Sequence, residues 1–458
     1  MTATPAVAPP TSPRIATGPR GVPILGVMVE ARKDILGWLK RTVAEHGIVA
    51  QYRCPWRAYL VTHPDGLKHV LQDNVKNYTK EHISYSMLRR IVGDGLLTSG
   101  GETWLKQRRL AQPAFHRARI SAMADHMVKA TAELSEHWAA SQRAGEPRHA
   151  GQDMMALTLR IVGEALLGTN VRAETEAVAV SFNLISEQSV ERFRALRFIP
   201  PILPTAYDRA YRQATRALND VVTRVIAQRR ERMEDRGDLL SMFMLAKDEE
   251  TGEQMDDVHL RNEVLTMLLA GHETTATALS WAWLLLEQNP DAERKLHEEL
   301  DSVLGGRLPT ADDVPKLVYT RRVLDETMRL YPPVYLLSRK VVEEDVICGY
   351  QILAGSTIDI SPYATHRLPE FWPDPERFDP DRFSPEQVAA RPRYAYFPFL
   401  GGPRQCIGNN FALMEGTLIL ATLAQRHRPR MVAGYTPTPE PLITLRPSGD
   451  LPVRITSR

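Results

Sequence analysis

The sequence predicts a mainly α-helical protein with a few short strands. Residues 120–246 are expected to be mostly helical, without a motif that distinguishes one helix from another. A long helix is expected from about Val258 to Gln288, with Asp256 or Asp257 as its N-cap and Pro290 just beyond its end. At 1.5 Å per residue this helix would be roughly 45 Å long, enough to cross a large domain. The strands are short alternating runs, among them residues 337–342 and 357–361.

Composition and charge narrow the class of protein. The 458 residues carry 57 Lys and Arg against 55 Asp and Glu, a formal net charge of +2, so neither nucleic acid nor an acidic polymer is an expected partner. Three cysteines without a close pair indicate a reducing, cytoplasmic location. The proline-rich residues 1–20 are predicted to be disordered, and residues 21–458 to form one domain because no linker or repeat divides them.

No signal peptide or membrane anchor is predicted. Residues 264–286 are mostly apolar, but His272 and Glu273 lie at their middle, which favours a buried helix over a membrane span. Elsewhere we expect an irregular segment at residues 76–101 and a terminal hairpin formed by residues 441–445 and 453–456. An apolar, proline-bearing connector at residues 198–204 could be either a lid or a packed turn.

One segment, residues 399–408, indicates a cofactor site. It reads FLGGPRQCIG and fits F-x-x-G-x-R-x-C-x-G at every fixed position, a match with chance odds of about one in ten thousand in a chain of this length. A helix is expected from Asn409, so Cys406 would precede a helix N-terminus, where the dipole favours a thiolate. Such a thiolate suits a single soft metal ligand, and Arg404 can reach an anionic group on the same cofactor. Cys54 and Cys348 lack this frame and are interpreted as buried thiols.

These residues resemble the haem-binding loop of the cytochrome P450 monooxygenases. The resemblance implies that Cys406 is the axial thiolate ligand of haem b, with Phe399, Arg404 and Gly408 also binding the cofactor. It covers nearly the whole chain, with its motifs in the expected order. It implies a triangular, mainly α-helical fold with small β-sheets, and haem between the long helix and the cysteine loop.

Further positions match places where this family contacts haem propionates. Trp104 and Arg108 form W-x-x-x-R at i and i+4 of a predicted helix. On spacing alone, a core tryptophan with a solvated arginine is at least as good an interpretation. Arg339 and His366 match two more such positions, with a surface arginine and a satisfied histidine as the alternative.

The long helix carries the run AGHETT at residues 270–275, which resembles the family motif A-G-x-[D/E]-T. The resemblance implies that Glu273 and Thr274 help to deliver protons to bound oxygen. From the residues alone, the Thr274 hydroxyl is expected to bond the Ala270 carbonyl and loosen the helix, while Gly271 removes side-chain bulk. Polar residues that only satisfy one another within a buried helix are the alternative.

A structural cluster is also expected. Glu326 and Arg329 form E-x-x-R on a helix, and Arg377 follows in the run PERF. Together they resemble the family's buried Glu–Arg–Arg cluster, which we expect to hold the cysteine loop and to take no part in the chemistry.

The implied function is insertion of one atom of O₂ into a lipophilic small molecule, by hydroxylation or epoxidation. The candidate pocket residues are mostly apolar, which favours a fatty acid or a terpenoid; they are His82, Ile83, Met87, Met267, Ala270, residues 334–337, Leu442 and Ile443. Two alternatives stay open. A peroxide-driven enzyme of this fold would be expected to alter the Glu273–Thr274 pair, and a haem-thiolate sensor or binding protein has no use for it.

Electrons are expected from a separate protein. The sequence shows no dinucleotide-binding glycine pattern and no cysteines for an iron–sulfur cluster after Cys406. A ferredoxin with its reductase, or a flavodoxin, is therefore the expected donor. Its expected docking site is a basic patch, formed by Lys106, Arg109, Arg117, Arg119 and Arg404.

Overall fold

The computed structural model describes residues 12–168, 206–232, 235–248 and 250–458. Helices dominate the described residues, as the sequence predicts. The α-helices are α1 (Met28–Lys33), α2 (Ile35–His46), α3 (Pro64–Lys68), α4 (Ile83–Val92), α5 (Gly101–Ala111), α6 (Arg117–Ala122), α7 (Ala124–Ala144), α8 (Ala150–Leu167), α9 (Ala206–Arg232), α10 (Leu239–Leu245), α11 (Asp257–Gln288), α12 (Pro290–Leu304), α13 (Val318–Leu330), α14 (Pro362–Thr365), α15 (Pro385–Ala390) and α16 (Asn409–Ala424).

The strands are short and form small sheets. They are β1 (Val49–Cys54), β2 (Trp56–Val61), β3 (Tyr78–Thr79), β4 (Arg148–His149), β5 (Leu337–Val341), β6 (Asp345–Ile347), β7 (Tyr350–Ile352), β8 (Thr357–Ile360), β9 (His427–Met431), β10 (Pro439–Pro441), β11 (Leu445–Pro447) and β12 (Pro452–Ser457). No helix among the described residues is long and apolar enough to cross a membrane.

The chain divides into two compact units, which are described separately. The small unit comprises Met1–Ser84, Tyr335–Pro375 and Arg391–Gln405; the large unit comprises Tyr85–Val334, Glu376–Ala390 and Cys406–Arg458. The prediction of a single domain over residues 21–458 stays a prediction.

The small unit is built on a five-stranded sheet of order β1-β2-β8-β5-β3. β1 and β2 form a tight antiparallel hairpin in which Cys54 lies opposite Trp56, and β2 runs parallel to β8. Part of the proline-rich N-terminal segment lies against this sheet, because Ala16 is buried and the Gln51 N–H donates to the Thr17 carbonyl over 2.9 Å. Ordered chain therefore begins before residue 21, and the predicted disorder stays a prediction only for residues 1–11, which lie outside the described residues.

The large unit surrounds α11, which is buried along most of its length. Asp256 caps this helix by accepting a hydrogen bond from the His259 N–H over 2.8 Å, so the predicted start and end are confirmed. Helix α8 packs directly on α11 at Gly271, where an added Cβ would lie 2.8 Å from Val162 Cγ2. The glycine therefore removes bulk for helix packing, which burial of the apolar α8 face favours.

Two predicted segments differ in the structure. Residues 76–101 are not an irregular loop, because they contain β3 and α4. The predicted terminal hairpin is wrong in its pairing: β10 pairs with β11 through a tight turn at residues 442–444, while β12 pairs with β9 and β4. Short apolar runs do not by themselves specify a partner strand. The connector at residues 198–204 lies outside the described residues.

Candidate active site

Cys406 lies in the large unit, two residues before Gly408, the N-cap of α16. Its side chain is accessible to solvent on one side, but protein atoms surround the rest of the thiol. This desolvation raises the pKa of the Cys406 thiol, while the Gly408 N–H and the nearby Arg108 guanidinium act in the opposite direction by favouring the thiolate. The helix N-terminus alone therefore does not make Cys406 a thiolate. A bound cation would add to the stabilisation of the thiolate that the Gly408 N–H and Arg108 provide.

The helix α5 places Trp104 and Arg108 beside this cysteine loop. Trp104 is half-buried and packs against the apolar core of the large unit. Burial lowers the pKa of Arg108, and the Cys406 charge partly offsets that effect. Next along the chain, the Phe115 ring lies 4.0 Å from the position of a Cβ added to Gly408. Arg108 thus lies near Cys406, and Trp104 lies one helical turn before it on α5, while their contact with a shared ligand stays a prediction.

The preceding half of the loop belongs to the small unit and is tightly fixed there. Gly402 has φ +66°, and a Cβ at this position would lie 1.9 Å from the Leu71 carbonyl oxygen. A Cβ at Gly401 would lie 2.5 Å from the Tyr394 ring. Phe399 and Arg404 flank these glycines, and both side chains are half-buried. Close backbone packing therefore requires the glycine of the motif at residue 402.

Arg339 and His366 are buried in the small unit. The Arg339 guanidinium donates to the Ser338 carbonyl over 2.9 Å. His366 is wholly buried, and its Nε2 accepts the Phe397 N–H over 3.0 Å. Arg339 is therefore not a surface arginine, whereas the hydrogen bond of His366 to the segment before the cysteine loop agrees with the alternative of a satisfied histidine.

Helix α11 has an unusual patch at its middle. The Thr274 hydroxyl donates to the Ala270 carbonyl over 2.6 Å, as predicted, and the next two carbonyls also accept side-chain hydroxyls, from Thr275 over 3.3 Å and from Thr158 over 2.9 Å. These three bonds compete with the helix ladder. Ala270 is exposed and Thr274 half-buried although most of α11 is buried. The face with these two residues is therefore not packed against protein.

Glu273 is buried and ion-paired. Its Oε1 accepts hydrogen bonds from the Thr444 hydroxyl over 2.8 Å and from the Arg446 Nε and Nη2 over 3.0 and 2.6 Å. The neighbouring His272 donates its Nδ1–H to the Leu268 carbonyl over 2.6 Å, and burial lowers the pKa of His272. The pairing of Glu273 with Arg446 could not be predicted, because no local signal links residues so far apart in the chain.

The Glu–Arg–Arg cluster forms with a different third member. Arg329 Nε and Nη2 donate to the two Glu326 carboxyl oxygens over 2.7 and 2.8 Å, and both residues are fully buried. The Arg377 guanidinium is 70% exposed, and only its backbone carbonyl accepts from Arg329. Arg382 instead approaches Glu326, with its Nε 3.5 Å from Oε1. The prediction for Arg377 is therefore wrong, because the chain after residue 377 turns its side chain to solvent.

The predicted basic patch is also largely neutralised within the large unit. Lys106 pairs with Glu253. Arg109 pairs with Asp248 and with Glu250, both over 2.9 Å. Arg117 and Arg119, in contrast, are exposed on α6. They follow the segment whose Phe115 lies close to Gly408, which leaves these two arginines as the exposed cations of that region.

Sequence reasoning overlooked Glu415. It lies in α16, is fully buried, and neither carboxyl oxygen has a hydrogen-bond partner of good geometry in the described part of the chain. Burial raises the pKa of Glu415 well above its ordinary range, and the nearby Thr275 hydroxyl opposes this only in part. The available signal was a lone acid within an apolar helical run at residues 411–424.

Glu415→Gln is expected to make folding less sensitive to pH. A carboxyl whose pKa is raised by folding keeps its proton in the folded state. The free energy of unfolding is therefore highest below the pKa of the unfolded chain and declines as pH rises towards the pKa of the folded state. Between about pH 5 and pH 8 the wild type should lose up to about 1.4 kcal/mol per pH unit relative to Glu415→Gln. Free energies of unfolding measured across this range check the slope. Glu370→Gln, an exposed control, should parallel the wild type, and a Glu415→Gln curve that does so contradicts the expectation.

Comparison with known proteins agrees with this geometry. A family model described as cytochrome P450 matches residues 17–450. The chain is 38% identical over 436 residues to cyclooctatin synthase of Streptomyces melanosporofaciens, with 94% of each chain covered. It is 33% identical over 447 residues to pentalenene oxygenase of Streptomyces avermitilis, covering 96% of this chain and 97% of that protein. The crystal structure of cytochrome P450DA heme domain superposes with a TM-score of 0.87 at 26% identity, covering 98% of each chain.

The family match, the mainly helical fold and the exposed cysteine ahead of α16 together identify a haem-thiolate oxidoreductase. The chain belongs to the cytochrome P450 family, whose members incorporate oxygen from O₂ and hold haem through a cysteine thiolate. The residues present fit that cofactor: Cys406 has an open side with an N–H donor and a guanidinium near its sulfur, and α11 leaves the Ala270–Thr274 face unpacked.

Proposed function

We propose that this protein hydroxylates or epoxidises a lipophilic, terpenoid-like small molecule, with electrons from a separate ferredoxin or flavodoxin. The observation that carries the proposal is the accessible Cys406 thiol, supported from within the large unit by Gly408 and Arg108. The relatives named cyclooctatin synthase, cyclooctat-9-en-7-ol 5-monooxygenase and pentalenene oxygenase support the terpenoid side of the preference. The apolar candidate pocket residues support it as well.

In this proposal the bound haem supplies O₂ activation and the oxidising equivalent, with Cys406 as its thiolate ligand. The chain's own residues hold that cofactor and control access to it. Those proposed to contact it are Trp104, Arg108, Arg339, His366, Phe399, Arg404 and Gly408. The arginines and the tryptophan N–H can neutralise or bond propionate oxygens.

Thr274 has the proposed role of holding a proton near the reacting oxygen. Its hydroxyl lies on the unpacked face of α11. Among the described residues, this hydroxyl donates its hydrogen bond to the Ala270 carbonyl of its own helix. A rotation about one side-chain bond would turn this hydroxyl from the Ala270 carbonyl towards a bound molecule. Glu273 lies next to it in sequence and is proposed to support the same proton delivery.

Thr274→Ala is expected to bind substrate and accept electrons normally but to release peroxide in place of product. Without the hydroxyl, protonation of bound oxygen is mistimed, and proton delivery by a positioned group is typically worth about 10²–10⁴ in rate. The measurement is product formed per electron consumed, with peroxide assayed in parallel. Thr274→Ser, which keeps the hydroxyl, is the control. Equal product per electron in the alanine variant and the wild type would refute the role.

The oxidant distinguishes this proposal from its alternatives. Turnover of a lipophilic substrate with O₂, a ferredoxin and its reductase is the expected result. Turnover with peroxide alone would favour a peroxide-driven enzyme, and spectral binding of the substrate without turnover in either system would favour a binding protein. A panel of cyclic terpenes and fatty acids, screened by the shift of the haem Soret band, identifies the substrate class.

Charge reversal at Arg117 and Arg119 is expected to slow electron delivery several-fold. These exposed arginines lie on α6, close in the chain to Phe115 and hence to the Cys406 end of α16. An acidic donor would be steered to them electrostatically, and the attraction would weaken as the Debye length falls from about 10 Å at 0.1 M salt to about 3 Å at 1 M. The measurement is the rate of first-electron transfer in Arg117→Glu/Arg119→Glu against ionic strength.

The matched control is Arg212→Glu/Arg216→Glu, which makes the same charge change on the exposed face of α9. Lys106→Glu/Arg109→Glu forms a second comparison, because these cations are paired within the chain and their reversal should mainly lower stability. Rates in the Arg117→Glu/Arg119→Glu variant that match the wild type and do not vary with salt would place the donor elsewhere.

A further inference from the structure

Arg446 and Thr444 reach Glu273 from the far end of the chain. All three of their hydrogen bonds converge on the Oε1 atom of Glu273, over 2.8 Å from the Thr444 hydroxyl and over 3.0 and 2.6 Å from Arg446 Nε and Nη2. Bonds of this kind to an ionised carboxylate are stronger than those between neutral groups. The Arg446 and Glu273 side chains are 19% and 3% exposed. The pair is therefore shielded from water. The attraction between two charges is stronger in such a place than at the protein surface.

The strand that carries Arg446 is itself firmly held. On one side of Arg446, Leu445 donates its N–H to the Pro333 carbonyl over 3.0 Å and accepts the Trp281 indole N–H over 2.7 Å. Trp281 lies on α11 and stacks on Tyr331 with ring centroids 3.8 Å apart. Helix α11 thus holds β11 at two separate points, at Trp281 and at Glu273.

The same hairpin carries two candidate substrate contacts. The turn between β10 and β11 is closed by the Leu442 N–H donating to the Thr444 carbonyl over 3.0 Å. Leu442 and Ile443 form this turn, and Thr444, directly after them, donates its hydroxyl to Glu273. A molecule that contacts the turn would therefore be one residue away from the group that holds the Glu273 carboxyl.

Few other ionisable groups lie near this pair in the described chain. His272 precedes Glu273 and is bonded to the Leu268 carbonyl. Glu415 on α16 lies near Thr275, and Glu440 is opposite Arg446 in the β10–β11 register. Among these, Arg446 provides the positive charge in direct contact with Glu273.

We propose that Arg446, together with Thr444, is a positioning residue for the oxygenation step, and that it fixes the Glu273 carboxylate next to Thr274 from the substrate-contacting hairpin. Arg446 touches neither substrate nor cofactor in this role; it acts through Glu273. The inference rests on the proton-delivery role proposed for Glu273 and Thr274. It adds a link from substrate contact at residues 442–443 to proton delivery.

A purely structural ion pair is the competing explanation, because breaking any buried pair leaves an uncompensated charge. The two explanations differ in what Arg446→Gln does to folded, haem-loaded enzyme. If Arg446 only stabilises the fold, product per electron is unchanged once the protein has folded. If it positions Glu273, product per electron falls, and its pH profile moves to higher pH because a buried carboxylate without its partner takes up a proton more readily.

The test uses a double-mutant cycle of Arg446→Gln and Glu273→Gln in the holoenzyme, with three readouts. These are product per electron as a function of pH, substrate affinity from the Soret shift, and unfolding by denaturant. Arg446→Lys keeps the positive charge, and its product per electron should therefore be close to that of the wild type. Arg430→Gln removes a comparable strand arginine, whose Nη2 lies 2.7 Å from Glu293, and should leave coupling unchanged. Thr444→Val tests the same contact if Arg446→Gln does not accumulate as folded protein.

We expect several-fold lower product per electron in Arg446→Gln, a displaced pH profile, and a double variant no worse than Glu273→Gln alone. The inference would be overturned if the losses of product per electron caused by the two substitutions multiplied in the double variant. It would also be overturned if Arg446→Gln lost only stability and kept the product per electron and the pH profile of the wild type. Thr274→Ala separates this from the proposed function. If Thr274→Ala stays coupled, the proton-delivery role itself fails; if Thr274→Ala uncouples and Arg446→Gln does not, only the role of Arg446 fails.

Discussion

Cys406→Ala is expected to abolish the red-shifted absorbance band of the reduced, carbon-monoxide-bound protein. That band reports thiolate ligation, and Cys406 is the exposed cysteine of the chain and the one that lies just before the N-terminus of α16. The variant should lose haem or hold it through another ligand. The spectrum of the purified variant, together with its haem content, is the measurement.

The other two cysteines are the matched controls. Both lie in the small unit, and burial, with the nearby Asp359 carboxylate, raises the pKa of Cys54 to about 12. Burial also raises the pKa of Cys348, with Asp65 adding to the effect. The Cys348 sulfur also has a main-chain N–H, from Gly66, and a guanidinium, from Arg14, near it. It is only half-buried, however, and lies in the turn between β6 and β7, outside the motif around Cys406, so Cys54→Ala and Cys348→Ala should keep the band. A Cys406→Ala protein that retains the band would disprove the assignment of the iron ligand.

Arg329→Ala is expected to lower the free energy of unfolding by about 3–5 kcal/mol, because it strands the buried Glu326 carboxylate. Desolvation raises the pKa of Glu326 even with Arg329 beside it. Once the arginine is gone, Glu326 can avoid a buried charge by taking up a proton, so the loss should be smaller at acidic than at alkaline pH. Denaturant unfolding at both extremes provides the measurement.

Arg377→Ala and Arg382→Ala make this expectation specific. The Arg377 guanidinium is 70% exposed, so its removal should change stability by no more than about 0.5 kcal/mol. Arg382 approaches Glu326 at 3.5 Å and should fall between the other two variants. A loss in Arg377→Ala as large as that in Arg329→Ala would restore the arrangement that the motif predicts.

The sequence predicted the elements that depend on local signals. Helix α11 was placed to within a residue because Asp256 caps it and Asn289 and Pro290 follow it. The strands predicted at residues 337–342 and 357–361 are likewise confirmed, as β5 and β8, because their alternating pattern is local. The family was evident from the residues around Cys406, since a motif with five fixed positions is rarely met by chance.

Features that depend on distant partners could not be predicted in this way. The third cation at Glu326 proved to be Arg382, because the direction of a side chain after a turn depends on packing that the motif does not contain. Lys106 and Arg109 are cations, but they pair with acids about 140 residues further along the chain. The charges of these acids offset those of the two cations. Strand β12 pairs with β9, although β11 is nearer in the sequence, because pairing depends on which strand edge is available.

The contact between Glu273 and Arg446 spans 173 positions of the chain, and this has a consequence for synthesis. At about 5–20 residues per second, a ribosome adds the arginine about 10–35 s after the glutamate. Through that interval the central helix carries a carboxyl group that lacks its counter-charge, and burial of that group costs free energy. The helix is therefore expected to settle into its final position late, after nearly all of the chain has been made.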